Sequence, residues 1–184
     1  MPPALRRLAL TAHIASSVGW LGSVAAFLAL AIAGLTGGQD PQRAQGVYLA
    51  MELTGWYVIV PLAFTSLLTG LVQSLGTTWG LFRHYWVLMK LALTVAATFL
   101  LLLHMQVAGH VADAVAEPGG PGSGLDGLRI QLVADAAAAV LVLLVTTGLS
   151  VYKPRGVTRY GWRRQQEQRA GTATAGASAP ARAR

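Results

Sequence analysis

Four long apolar stretches constrain this chain more than any other feature. A helix needs about 20 mostly apolar residues to cross a bilayer. The segments from about Leu8 to Leu35, Met51 to Leu75, Tyr85 to Val107 and Leu128 to Val151 each meet that length. Between them stand residues that end helices for steric or entropic reasons. These are Thr36-Gly37-Gly38 with Pro41, then Gly76-Thr77-Thr78, then the run from Glu117 to Gly122 with Pro118 and Pro121, and finally Pro154. Pro61 falls inside the second span, where a membrane helix tolerates it with a kink. With 54% hydrophobic and 11% charged residues, against about 25% charged in an ordinary soluble domain, the chain has too little polar surface to face water. The expected fold is all-α, a four-transmembrane-helix bundle over residues 1–164.

Charge sets the expected orientation. Eight of the 14 lysines and arginines lie from Lys153 onward, Arg6 and Arg7 precede the first span, and Arg83 separates the second from the third. The two remaining loops hold Arg43 and Arg129 beside Asp40, Asp113, Glu117 and Asp126. By the positive-inside rule both termini are cytoplasmic, in a multi-pass protein of the cell membrane. The net charge of +7 is therefore a property of the tail, and suits anionic lipid headgroups of the inner leaflet, at about 1 kcal/mol per basic residue near the surface. No nucleic-acid recognition module accompanies it, so nucleic acid is not an expected partner. From Gln165 to Arg184 the chain has no apolar period and no aromatic residue, and a disordered basic tail is expected. Tyr152, Tyr160 and Trp162 interleave with its first basic residues and suit the membrane interface. Arg6-Arg7, the apolar first span and Ala31-Ile32-Ala33 also resemble a signal peptide with its small-residue cleavage site. That stretch is far longer than a signal core and carries His13, Ser16 and Ser17, so an uncleaved helix is expected.

The absence of cysteine excludes disulfides, iron–sulfur clusters and thiolate metal sites. No nucleotide loop, nucleophile elbow or zinc-protease motif is present. Chemistry, if any, falls to the ionisable residues in or near the spans, each of which is costly in a bilayer. They are His13, Glu52, Lys90, His104 and Asp135. At 1.5 Å per residue, His13 lies roughly 9 Å in from Arg7, and Lys90 and Gln73 reach a similar level. Helix geometry allows an inner polar cluster of these three; the alternatives are that Lys90 snorkels to the interface and that His13 hydrogen-bonds to a neighbouring carbonyl or serine. His104 lies roughly 21 Å beyond Lys90, where Glu52 and Asp135 enter from the other side; His110 and Asp113 could extend that set. A histidine with two carboxylates suits a divalent metal ion or a proton relay. His13 and His104 cannot share one haem iron, because each iron–nitrogen bond spans only about 2 Å.

Two stretches carry a wider likeness. Val58–His104, VIVPLAFTSLLTGLVQSLGTTWGLFRHYWVLMKLALTVAATFLLLLH, and SVYKPRGVTRYG at the end of the fourth span resemble a family of small actinobacterial membrane proteins. The likeness covers most of residues 8–162; it implies the four-helix architecture and no activity. More distantly, His13 with Trp20 and Gly22, then Trp86, Lys90 and His104, is similar to the CopD-type copper-resistance membrane proteins and to the small membrane-type protoporphyrinogen oxidase. That similarity implies a haem or metal site with His13 as ligand and Lys90 as its partner. The chain lacks the oxidase's further histidines and arginines, and it is not methionine-rich as copper handlers are.

Three functions remain open at this point. The leading expectation is a non-catalytic membrane component, a subunit or scaffold whose polar residues hold helices together, acting with a membrane partner or as a homo-oligomer. The alternatives are a membrane protein binding haem or a divalent metal ion through His13 or His104, and a membrane oxidoreductase.

Overall fold

The computed structural model describes residues 2–36, 41–76, 85–116 and 125–152, with 158, 162, 163 and 166. Among them are helices α1 (Pro3–Thr36), α2 (Pro41–Thr54), α3 (Val60–Gly76), α4 (Tyr85–Ala116) and α5 (Asp126–Tyr152), and no strand. A single π turn, Gly55–Ile59, joins α2 to α3 without interrupting the helix, and Val60 N–H donates to Gly55 O. Four helical segments are long and apolar enough to cross a membrane. Most of the tail expected to be disordered over 165–184 lies outside the described residues.

The kink expected at Pro61 takes the form of this π turn. Proline has no N–H to return to the carbonyl four residues earlier, so the ladder must loosen on its N-terminal side. The wider turn immediately upstream does that while keeping Gly55 and Ile59 buried.

The helices are longer than the apolar windows that reveal them. The second begins at Pro41, ten residues before Met51, with proline in the first turn where its missing N–H is harmless. The third continues past Val107 to Ala116. Residues 42–50 are polar enough to look like a loop, yet Tyr48 from this stretch is buried beside Met51. Ala108 and Val111 do the same for the end of α4. Packing against neighbouring helices, not hydropathy, carries these ends.

α1 shows how the core is built. Its buried residues are Ser16, Trp20, Val24, Phe27, Ala31 and Gly34, a run of three- and four-residue steps that forms one stripe. α1 runs unbroken through Ala31-Ile32-Ala33, and Ala31 is part of the core. The stripe lies between α5 on one side and the α2–α3 helix on the other, and α4 closes the bundle opposite α1. Neighbours run antiparallel: along α1, residues Ala9, Ser17, Gly19 and Gly34 meet Gln73, Ser66, Leu62 and Tyr48 in turn. The outward surface carries Leu8 (67% exposed), Val18, Phe99, Leu100, Leu141 and Val145. Such a surface is compatible with acyl chains and would aggregate in water.

Candidate functional site

Polar side chains gather at two levels. Phe27 packs edge-on against His104, with ring centroids 6.3 Å apart. His13 stands fourteen residues before Phe27 on the same helix, so the two histidines lie at levels about 21 Å apart. Between them the interior is mostly apolar, with Trp20, Val24, Ile59, Ala63 and Leu143 buried there, and the buried Thr98 hydroxyl bonds to its own helix.

At the inner level, α1 and α3 are joined by a polar seam. His13 Nδ1 lies 3.1 Å from Ser66 O and 3.1 Å from Thr69 Oγ1. A carbonyl can only accept, so the proton sits on Nδ1, and Nε2 of the neutral ring keeps its lone pair. Thr69 gives its own hydrogen to Thr65 O at 2.6 Å and turns a lone pair toward the imidazole. One turn further into the bundle, Ser17 and Ser66 hydroxyls meet at 2.8 Å. One turn nearer the helix start, Gln73 Nε2 donates to Ala9 O at 3.0 Å. Gly70 makes the close approach possible, since a Cβ there would stand 3.0 Å from His13 Cε1. The expected cluster of His13, Gln73 and Lys90 is thus shared between contacts. Gln73 lies on the seam, and Lys90 Nζ sits 5.9 Å from the Trp86 ring centroid on its own helix.

Buried hydroxyls complete this half of the bundle. Ser16, Ser66, Thr98 and Thr146 come one from each spanning helix. Ser16, Thr98 and Thr146 donate to a carbonyl of their own helix, and Ser66 bonds to Ser17. Donation back to the preceding turn is how a hydroxyl is satisfied where no water reaches it.

At the outer level, His104 Nδ1 lies 2.9 Å from Asp135 Oδ2, joining α4 to α5. His104 is largely enclosed, whereas the Asp135 side chain is 48% exposed on the flank of the bundle. The carboxylate can only accept, so Nδ1 carries the proton here too, and Nε2 is buried without a hydrogen-bond partner. Glu52 of α2 lies beside α4, where a Cβ on Gly109 would stand 3.8 Å from its Oε1. Among the described residues no three His, Asp or Glu side chains gather closely enough to hold a metal ion. His104 and Asp135 are brought together; Glu52 does not join them in a ligand set.

Three participants were not singled out from sequence. Tyr48 fits so closely on α1 that a Cβ on Gly34 would stand 2.9 Å from its hydroxyl. Arg129 lays its guanidinium 5.7 Å from the Tyr48 ring centroid and pairs with Asp126 at 3.6 Å. Met105, fully buried, packs against Gly55 in the π turn. Tyr48 lies before the second apolar window and Arg129 at the very start of the fourth, and both read as loop chemistry. Their i, i+3 and i, i+4 relations to Met51, Glu52 and Asp126 were the available signal.

The fold and its two polar levels define a helical bundle of membrane-spanning dimensions with interior polar side chains. No family model, curated protein or solved structure matches the chain.

Proposed function

We propose that this chain is a multi-pass component of the cell membrane with no catalysis of its own, both termini cytoplasmic, whose interior polar residues lock its helices in register. One observation carries this reading: His13, Ser17, Ser66, Thr69 and Gln73, the most ligand-like group in the inner half, hydrogen-bond across the α1–α3 seam. In a bilayer, where lipid tails are as apolar as leucine, such bonds and close glycine contacts are what hold helices together. The excess of basic residues in the tail supports the orientation and an association with anionic headgroups. A partner subunit or a second copy is the object such a scaffold would hold.

A second reading, binding of haem or a divalent metal ion, is favoured by the tautomers. Both imidazoles give Nδ1–H to an acceptor and leave Nε2 unprotonated, which is the disposition that metal-ligating histidines adopt. The similarity to CopD-type proteins and the membrane protoporphyrinogen oxidase points to His13, with Lys90 beside it, and the His104–Asp135 pair is the alternative. His104 with Asp135 supplies two donors at most, and Glu52 stands apart from them.

Visible absorption and elemental analysis of detergent-purified protein separate the two readings. The scaffold reading expects a colourless, metal-free preparation in which His13→Ala changes only stability. A Soret band abolished by His13→Ala, or stoichiometric metal abolished by His104→Ala, replaces it with the second. Oxidation of added porphyrinogen faster than by the His13→Ala variant would instead assign an oxidoreductase.

A further inference from the structure

The buried side-chain atoms without a hydrogen-bond partner among the described residues are Tyr48 Oη, Arg129 Nε and His104 Nε2. All three lie in the half of the bundle where α2 and α5 begin. The buried hydroxyls of the other half are satisfied within the protein. Unsatisfied polar atoms in a packed interior are rare and costly, and enclosed water is their usual partner where two or more stand together.

These atoms come from three helices, α2, α4 and α5, in one half of the bundle. Tyr48 and Glu52 are four residues apart and share one face of α2. Glu52 reaches α4 beside Gly109, which is five residues, about 7.5 Å of helix rise, from His104. Arg129 stacks near Tyr48 at the start of α5, and Asp135 lies six residues, about 9 Å, further along that helix. Buried polar atoms left unpartnered on neighbouring helices are the groups that enclosed water ordinarily serves. Beyond His104 the interior is closed by Phe27, which packs on the imidazole, and by the core residues Val24 and Ile59.

We propose that this half of the bundle is a hydrated inlet lined by Arg129, Tyr48, Glu52 and Gly109, through which the His104–Asp135 pair binds and releases a proton. The proton passes from water to the lone pair on Nε2. The imidazolium so formed keeps Nδ1–H on Asp135 Oδ2, which makes the hydrogen bond an ion pair. The charged and titratable groups in the half of the bundle that holds His104 are Asp135, Arg129 and Asp126 from α5, Glu52, Tyr48 and Arg43 from α2, and His110 and Asp113 from α4 itself. α1 contributes none at this level, and α3 with the π turn contributes only the outward-facing Tyr57. The inlet requires neither metal nor haem and goes beyond the scaffold role proposed above.

The absence of cysteine makes the inlet testable by single-cysteine accessibility in membrane vesicles. Gly109→Cys is the probe position, since its new Cβ makes an ordinary 3.8 Å contact with Glu52. Gly22→Cys, exposed in open space on the outward side of α1, and Val24→Cys, in the apolar interior, are the comparators. A charged, membrane-impermeant methanethiosulfonate reacts with thiolate in water. It should label Gly109→Cys about tenfold faster than either comparator, and only from the side on which α2 and α5 begin. Equal rates at the three positions, or labelling from the opposite side, overturn the inlet. Proton binding is read separately from 15N-histidine spectra of the reconstituted wild-type protein, with the His104 signal assigned by its loss in His104→Phe. That signal should change from a one-proton to a two-proton ring between about pH 8 and about pH 5; a signal indifferent to pH over that range refutes the proton site.

Discussion

Gly70→Ala tests whether His13 is a packing residue, and its sign is expected to depend on what occupies position 13. The new Cβ would meet His13 Cε1 at 3.0 Å and Nδ1 at 3.5 Å. Retreat is hindered, because Nδ1 is tied to Ser66 O and Thr69 Oγ1 on the same helix that carries the substitution. The ring must stretch those bonds or push α1 away, and overpacking of this kind costs about 1–3 kcal/mol. With His13→Ala the obstruction is gone. Gly70→Ala should then stabilise by about 0.5–1 kcal/mol, the advantage of alanine over glycine inside a helix. The coupling between the two positions is therefore about 1.5–4 kcal/mol, which overlaps the range of about 0.5–3 kcal/mol found for residues in contact. Equilibrium unfolding of the wild type, both single variants and the double variant in mixed detergent micelles completes the cycle. Additivity within about 0.5 kcal/mol would show that His13 does not rest on Gly70, and would return the imidazole to the pool of free ligands.

Other substitutions are expected to separate seam, core and outer pair. Ser17→Ala removes the 2.8 Å bond to Ser66 and should cost about 0.6 kcal/mol, and at most about 1.7, by the same unfolding measurement. Gly34→Ala forces a Cβ to within 2.9 Å of the rigid Tyr48 phenol and should cost about 1–3 kcal/mol, whereas Gly22→Ala, in open space, should cost nothing. Asp135→Ala strands His104 Nδ1–H inside the bundle, for about 1–3 kcal/mol. Asp135→Asn, whose amide oxygen can still accept, should lose less, and thermal unfolding ranks the two. A reporter fused after Arg184 that is active only outside the cytoplasm would reverse the proposed topology.

The number of spanning helices was legible because transfer to hydrocarbon depends on residue type and length alone. The separation of His13 from His104 was legible for a similar reason, since helix rise is constant and needs no partner. Element ends were less so. Residues 42–50 look like loop by hydropathy and are helical because Tyr48 packs against Gly34 of α1 and α2 lies along α4, contacts that no local window contains. The pairing of His104 with Asp135 follows from their common level, and Glu52 lies one helix over, against Gly109. Level along a helix comes from counting; azimuth around it is altered by the π turn, whose existence Pro61 signals without fixing its width. Ser66 and Thr69 escaped notice because a hydroxyl in an apolar run bonds to its own helix by default, and only the arrival of His13 gives it a second role.

The π turn between α2 and α3 has a consequence for how this bundle can vary. A wide turn holds one residue more than the α-helix it replaces, so it is the trace a single inserted codon would leave. Each residue rotates what precedes it by about 100° about the helix axis. Excising one position from Gly55–Ile59 would leave α3 and its seam with α1 in place. Tyr48, Met51 and Glu52 would swing a quarter-turn or more away from Gly34, Arg129 and Gly109. One genetic step would thus dismantle the outer level and spare the inner, and the two halves of this bundle can diverge as separate modules.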